Sequence, residues 1–156
     1  MSYITLEQYT ELYDTIPAAD FNRLAWDASK MIDNLTTGVD GVRKLEVAYP
    51  TADDAVIRCA CRLVFVLYQI EQEEQSMTAS SGAVGSVSAG MVSSMSSGSE
   101  SISFKNVSSS YLTAAADPEA KRKLCNNIIR EYLAGEVDAN GVNLMYGGVY
   151  PCTLTQ

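Results

Sequence analysis

Thiols and carboxylates are the most chemically capable side chains of this sequence, because the chain contains no histidine. Histidine is the commonest general base and the usual partner of a serine or cysteine nucleophile. Cys59 and Cys61 are two positions apart in a helical pattern, so their side chains diverge by roughly 160° and cannot bind one metal ion together. With Cys125 and Cys152 they show no C-x-x-C spacing. We interpret the cysteines as small buried apolar residues of a reducing compartment.

Adjacent carboxylates occur at Asp53 and Asp54 and at Glu73 and Glu74. Neighbouring residues of a helix point apart, so neither pair makes an acid–base or metal site by itself. The sequence has no P-loop, no G-x-S-x-G and no H-E-x-x-H motif. We therefore expect no catalytic, metal-binding or cofactor-binding residues, and a protein that is not an enzyme.

The charge balance argues against a protein that binds nucleic acid. Eleven basic and 19 acidic residues give a net charge of −8, and residues 1–78 alone contribute 6 − 13 = −7. Such a chain repels phosphate backbones. Its 47% of apolar residues is nevertheless enough to bury a core. The composition therefore favours a structural or binding protein of one domain, residues 1–156.

Four segments show helical periodicity and predict a mainly α fold, a small bundle of about four helices with a core at 5–75 and 117–135. The expected helices are 6–13, with Thr5 and Gln8 spaced as a capping box; 17 or 18 to about 35; 52–75; and 118–134, which Asp117 caps before Pro118. The third is apolar almost all round, which predicts a central helix. Arg58 and Arg62 interrupt its apolar run, so it is not a membrane span.

Two further segments lack this periodicity. The 35 residues 76–110 contain 15 Ser and 4 Gly and predict a projecting arm between helices three and four. Strand-like stretches near 84–94 and 100–107 favour a β-hairpin there, and a disordered insert is the alternative. The tail 136–156 carries apolar residues that either fold back onto this domain or dock on another protein.

Three parts of the chain share a pattern with one known family. They are Tyr3-Ile4-Thr5 with Ile16-Pro17 and Phe21–Leu24; A-S-K-M-I-D-N-L-T-T-G at 28–38; and I-I-R-E-Y-L-A-G at 128–135 followed by L-M-Y-G-G-V at 144–149. On these motifs the chain resembles the small head–tail connector proteins, also called adaptor or head-completion proteins, of long-tailed bacteriophages. Such relatives often carry Arg before the last Gly-Val, where this chain has Gly147 and Gly148.

The resemblance implies a virion structural protein of the phage neck, assembled in the cytoplasm of a bacterial host. Such proteins form a ring, a dodecamer of roughly twelve subunits, below the portal. The ring extends the DNA channel and docks the next connector or the tail. The implied partners are the portal protein, neighbouring copies in the ring, and a stopper or tail-completion protein. DNA is only passing cargo, no membrane takes part, and some N-terminal acidic residues are expected to face the channel.

The resemblance also implies which residues meet those partners. The tail would bind the portal, with addition to a portal β-strand as one mode of binding. The contacts would be its apolar side chains: Leu144, Met145, Tyr146, Val149 and Tyr150. The arm would contact neighbouring subunits or the stopper through a second apolar set: Val84, Val87, Met91, Val92, Ile102, Phe104 and Val107.

Two other classes of protein stay open on the sequence. One is a small helical interaction module or assembly chaperone that acts as a monomer or dimer. The other is a helical-bundle enzyme or metal protein that uses Cys59 or Cys61 with Asp and Glu. Stoichiometric metal in the purified protein would favour the latter.

Overall fold

The computed structural model describes residues 2–14, 16–47, 54–82, 94–97, 100–103 and 109–149. The described part is mainly helical, which confirms the predicted fold class. Its helices are α1 (Leu6–Thr10), α2 (Ala18–Thr36), α3 (Lys44–Val47), α4 (Asp54–Gly82), α5 (Ser110–Ala116) and α6 (Pro118–Leu133).

Local signals in the sequence explain where α1 and α6 begin. Thr5 accepts a hydrogen bond from the amide of Gln8, whose side chain accepts one from the amide of Thr5, which confirms the capping box. Asp117 accepts from the amide of Glu119 at 2.9 Å, and Pro118 follows it in the first turn of α6. Helix α1 ends at Thr10, earlier than predicted.

Helix α4 is the central element and packs against α2, α5 and α6. Its buried residues lie all round the helix, as the apolar pattern predicts: Val56, Cys59, Ala60, Cys61, Leu63, Val64, Val66, Leu67 and Ile70. It extends to Gly82, seven residues beyond the predicted end. Among the described helices, none is long and apolar enough to cross a membrane.

Two short helices were not predicted. Helix α3 lies between the second and third predicted helices, where no helix was predicted, and its Leu45 is buried in the core. Helix α5 begins where the Ser-rich segment ends; Ser109 caps it by accepting from the amide of Leu112 at 3.1 Å. Ala114 anchors α5 in the core.

A two-stranded antiparallel sheet lies within the predicted arm. Strand β1 (Ser94–Ser97) pairs with β2 (Glu100–Ser103), with Met95 opposite Ile102. These strands overlap only part of the predicted ranges, and the rest of those ranges falls outside the described residues. The projecting arm therefore stays a prediction.

The N-terminal segment is fixed against α2. The amide of Tyr3 donates to the hydroxyl of Ser29 at 3.0 Å, and the phenol of Tyr3 donates to Asp33. Beyond α1, the ring of Tyr13 stacks on Tyr9 at 5.5 Å and on Phe65 of α4 at 5.0 Å between centroids. These contacts hold α1 in one position on the bundle.

Candidate functional site

The buried cysteines have the chemistry of core residues. Cys59, Cys61 and Cys125 are free thiols with almost no exposed surface. Burial raises the pKa of Cys59 to about 12 and that of Cys61 to about 11, which keeps both protonated at neutral pH. Within the described residues, no group of three or more Cys, Asp or Glu side chains is placed to hold a metal ion.

Two equivalent turns follow the ends of α2 and α6. In the first, the amide of Gly41 donates to the carbonyl of Gly38 at 3.0 Å, and Thr37 and Arg43 form an isolated antiparallel β-bridge. In the second, the amide of Gly141 donates to the carbonyl of Asp138 at 2.9 Å, and a bridge joins the residues flanking that turn. Gly41 and Gly141 have φ of 78° and 77°, a left-handed conformation that favours glycine in a tight turn.

Lys44 joins the two turns. It follows the first turn directly, and its side chain is fully buried. Its ammonium donates to the carbonyl oxygens of Asn143 at 3.3 Å and Leu144 at 3.1 Å, and also to that of Tyr146. Burial lowers its pKa, and the carboxylates of Asp138 and Asp40 oppose that shift. This one cation therefore ties α3 to the chain that follows α6.

The tail also touches the first turn directly. A Cβ on Gly38 would come within 2.8 Å of the carbonyl oxygen of Gly148, so the two backbones are in close contact. The ring of Tyr146 lies across Gly148 and 5.7 Å from the ammonium of Lys44. Residues 136–149 are thus folded onto their own subunit, which is one of the two alternatives predicted for the tail.

The predicted portal-binding residues fall into two groups. Leu144 is buried in the core, and the half-buried Met145 packs against the core. Tyr146 is 50% exposed and Val149 is 63% exposed. Tyr150 lies outside the described residues. Portal binding by any of these residues stays a prediction.

Exposed apolar residues flank the contact between the first turn and the tail. Val39, which follows Gly38, is 78% exposed, and Val149 follows Gly148 on the other side of the contact. Val39, Tyr146 and Val149 together are named the end patch. Exposed apolar side chains grouped in this way mark an interaction surface more often than scattered ones do.

Of the predicted arm contacts, only Ile102 lies within the described residues. Ile102 lies in β2, opposite Met95. The other predicted contacts lie outside the described residues: Val84, Val87, Met91, Val92, Phe104 and Val107.

Sequence reasoning missed Lys44 and both turns. The signal for the turns was present, because Asp40-Gly41 and Asn140-Gly141 are dipeptides typical of tight turns. Lys44 gave no such signal, since a lysine is ordinarily assigned to the surface.

Comparisons with protein-family models, with curated proteins and with solved structures find no match for this chain.

Proposed function

We propose that the chain is a head–tail connector of a long-tailed bacteriophage, a virion structural protein that docks below the portal as a ring and extends the DNA channel. The observation that carries the proposal is the end patch. Val39, Tyr146 and Val149 leave apolar area uncovered at the point where the chain continues towards its C-terminus. Burying such area against a partner is favourable by about 25 cal/mol per Å².

The end patch has a rigid support, which favours a docking role. Lys44 holds the carbonyls of residues 143, 144 and 146 in place, and the Gly38–Gly148 contact fixes the last described residues. A surface that is already ordered loses little conformational entropy when a partner binds. Tyr146 and Val149 are therefore suitable anchors for the portal.

The net charge supports the proposed DNA channel. A chain of −8 repels DNA, and a channel lined by such chains lets DNA slide without binding it. The same charge makes a specific DNA-binding role unfavourable.

The test is co-sedimentation of the purified chain with portal rings encoded by the same phage genome. Val39→Asp and Val149→Asp place a charge in the end patch and should weaken binding at least about tenfold. Ala116→Asp adds the same charge at an exposed position of α5 outside the patch and should bind like the unaltered chain. Circular dichroism should show the same helicity for all of them.

Truncation complements the substitutions. Removing residues 150–156 keeps Leu144 and the Lys44 contacts, whereas a cut before residue 144 would take Leu144 out of the core. An unaltered chain that does not bind the portal overturns the proposal and favours a small interaction module or chaperone. Undiminished binding by both charged variants overturns the role of the end patch.

A further inference from the structure

A cleft of about 430 Å³ lies between α2 and α6. Met31 and Leu35 of α2 form an apolar, half-buried floor, and Pro118 adds apolar surface at the start of α6. Lys121 and Arg122 line the same cleft. This α2–α6 groove therefore combines an apolar floor with a basic rim.

The basic rim carries positive charge that is accessible to a partner. The side chain of Arg122 is 73% exposed, and its nearest carboxylate is that of Glu119 at 4.0 Å, with both groups in solvent. Lys121 contacts Glu74 at 3.3 Å. These two cations of the groove stand on a chain of net charge −8. An acidic partner would gain from this concentration of positive charge.

A segment of opposite character lies in and directly after α1. Leu12 is 47% exposed, and the exposed carboxylates of Glu7, Glu11 and Asp14 surround it in sequence. No basic residue precedes Arg23 in the chain, so nothing in this segment neutralises them. Glu11, Leu12 and Asp14 are named the acidic edge. The capping box and the stacked rings of Tyr9 and Tyr13 hold this edge rigidly.

We propose that the acidic edge of one copy docks in the α2–α6 groove of a second copy. Leu12 covers Met31 and Leu35, while Glu11 and Asp14 face the basic rim. The two surfaces match in both respects, since each places apolar side chains beside charges, and the charges are opposite in sign. Between copies that repel each other through a charge of −8, such complementarity selects one orientation of approach.

Other occupants match the groove less well. Residues 150–156, Y-P-C-T-L-T-Q, contain no acidic side chain and leave the basic rim without partners. A nucleic acid would meet the repulsion of the whole chain. A second copy supplies both the leucine and the carboxylates.

The contact joins different surfaces of the two copies, so each docked copy still offers one edge and one groove. Contacts of this kind continue from copy to copy and close into a ring when the rotation between copies allows it. The inference rests on the proposed connector function for its biological setting, and it identifies the two faces through which the ring would form.

Sedimentation velocity of the isolated full chain, from about 10 μM to about 1 mM at low salt, tests the inference. The sedimentation coefficient should rise with concentration and fall back when salt is added, because the charges are screened. Leu12→Asp and Arg122→Glu should each weaken association about tenfold or more. Arg130→Glu makes the same charge change on α6 outside the groove and should associate like the unaltered chain.

Mixing the variants tests whether the two surfaces meet each other. L12D retains an intact groove and R122E retains an intact edge, so their mixture should form dimers that grow no further. Combining Glu11→Lys and Arg122→Glu in one chain exchanges the charges and should restore association. An unaltered chain that stays monomeric at about 1 mM overturns the inference, as does a mixture without dimers or a double variant without rescue.

The two proposals fail separately. Portal binding without this association leaves the connector function standing and overturns the edge–groove contact. Association through these surfaces without portal binding supports the contact and overturns the connector function.

Discussion

The ammonium of Lys44 lies 3.1 Å from the carbonyl oxygen of Leu144, a residue 100 positions later in the chain. Leu144 itself is buried in the core, so an apolar side chain and a buried cation anchor the same short stretch. A buried ammonium is costly unless hydrogen-bond acceptors surround it, and here three backbone carbonyls do so. The end of the described chain is therefore an integral part of the fold.

Replacing this cation should destabilise the protein. Lys44→Met keeps most of the side-chain length and removes the donor. The carbonyls of Leu144 and Tyr146 then lose this hydrogen bond, while that of Asn143 still accepts from the amide of Tyr146. Each buried acceptor left without a donor costs about 1–3 kcal/mol, and relaxation reduces the sum, so a loss of about 2–4 kcal/mol in the free energy of unfolding is expected. Urea denaturation measures it.

Hydrogen exchange provides a local readout for the same variant. The amides of Leu144 and Tyr146 donate within the tail and should exchange faster in Lys44→Met. Lys123→Met removes an exposed lysine of α6 and should change neither stability nor exchange. Equal denaturation midpoints for the two variants would mean that Lys44 does not hold the tail.

The contact between the first turn and the tail predicts a glycine requirement at position 38. In Gly38→Ala the new Cβ would meet the backbone oxygen of Gly148 at 2.8 Å, a group that moves only if the tail shifts. The expected loss is about 1–3 kcal/mol. Gly147→Ala is the matched control, because a Cβ there meets nothing within 4 Å. Thermal unfolding of both variants checks the difference, and an unchanged midpoint for Gly38→Ala would contradict it.

Periodic segments with clear start signals were predictable. Helix α2 was expected from position 17 or 18 to about 35 and runs from 18 to 36, and α6 was expected at 118–134 and ends at 133. Such segments can be recognised in the sequence because one face of the helix is continuously apolar and a capping residue precedes the helix.

The remaining structure depends on contacts between distant parts of the chain. Helices α3 and α5 are too short to be stable alone, and the burial of Leu45 and Ala114 holds them in place. The position of Lys44 depends on carbonyls about 100 residues away, which no local pattern encodes. Tyr146 and Val149 of the end patch were among the predicted contacts, but Val39 was not, because the Gly38–Gly148 contact beside it joins residues 110 positions apart.

The ion pair between Arg23 and Glu71 should make stability depend on pH. The guanidinium donates to both carboxylate oxygens, at 2.6 and 2.7 Å, and this hydrogen bonding holds the pKa of Glu71 below its usual value. A depressed carboxyl pKa adds stability above the pKa of the unfolded chain, about 4.3, and this stability is lost as pH falls through the lower native value. Because Arg23 is half-exposed, the contribution is about 0.5–1 kcal/mol.

Comparing Glu71→Gln with the unaltered chain isolates that pair. The variant should be less stable at pH 7, and the difference should shrink below about pH 4 in urea denaturation. Glu119→Gln affects a largely exposed pair 4.0 Å apart, so its effect should be smaller than that of Glu71→Gln. A difference for Glu71→Gln that stays constant down to pH 2.5 would contradict the assignment.

The buried cysteines should resist alkylation as long as the protein is folded. The thiolate is the reactive form, and burial raises the pKa of Cys59 to about 12 and that of Cys61 to about 11. Iodoacetamide at pH 8 should therefore leave both unlabelled in the native chain and label both in urea. Peptide mass spectrometry assigns the labelled positions.

An added cysteine serves as a reference, because it gives the labelling rate of an accessible thiol in the same molecule. Ser110→Cys places it at an exposed position at the start of α5, where labelling should be fast in the native protein. If Cys59 reacts as fast as this reference, α4 must open to solvent readily, and the core position assigned to it is wrong.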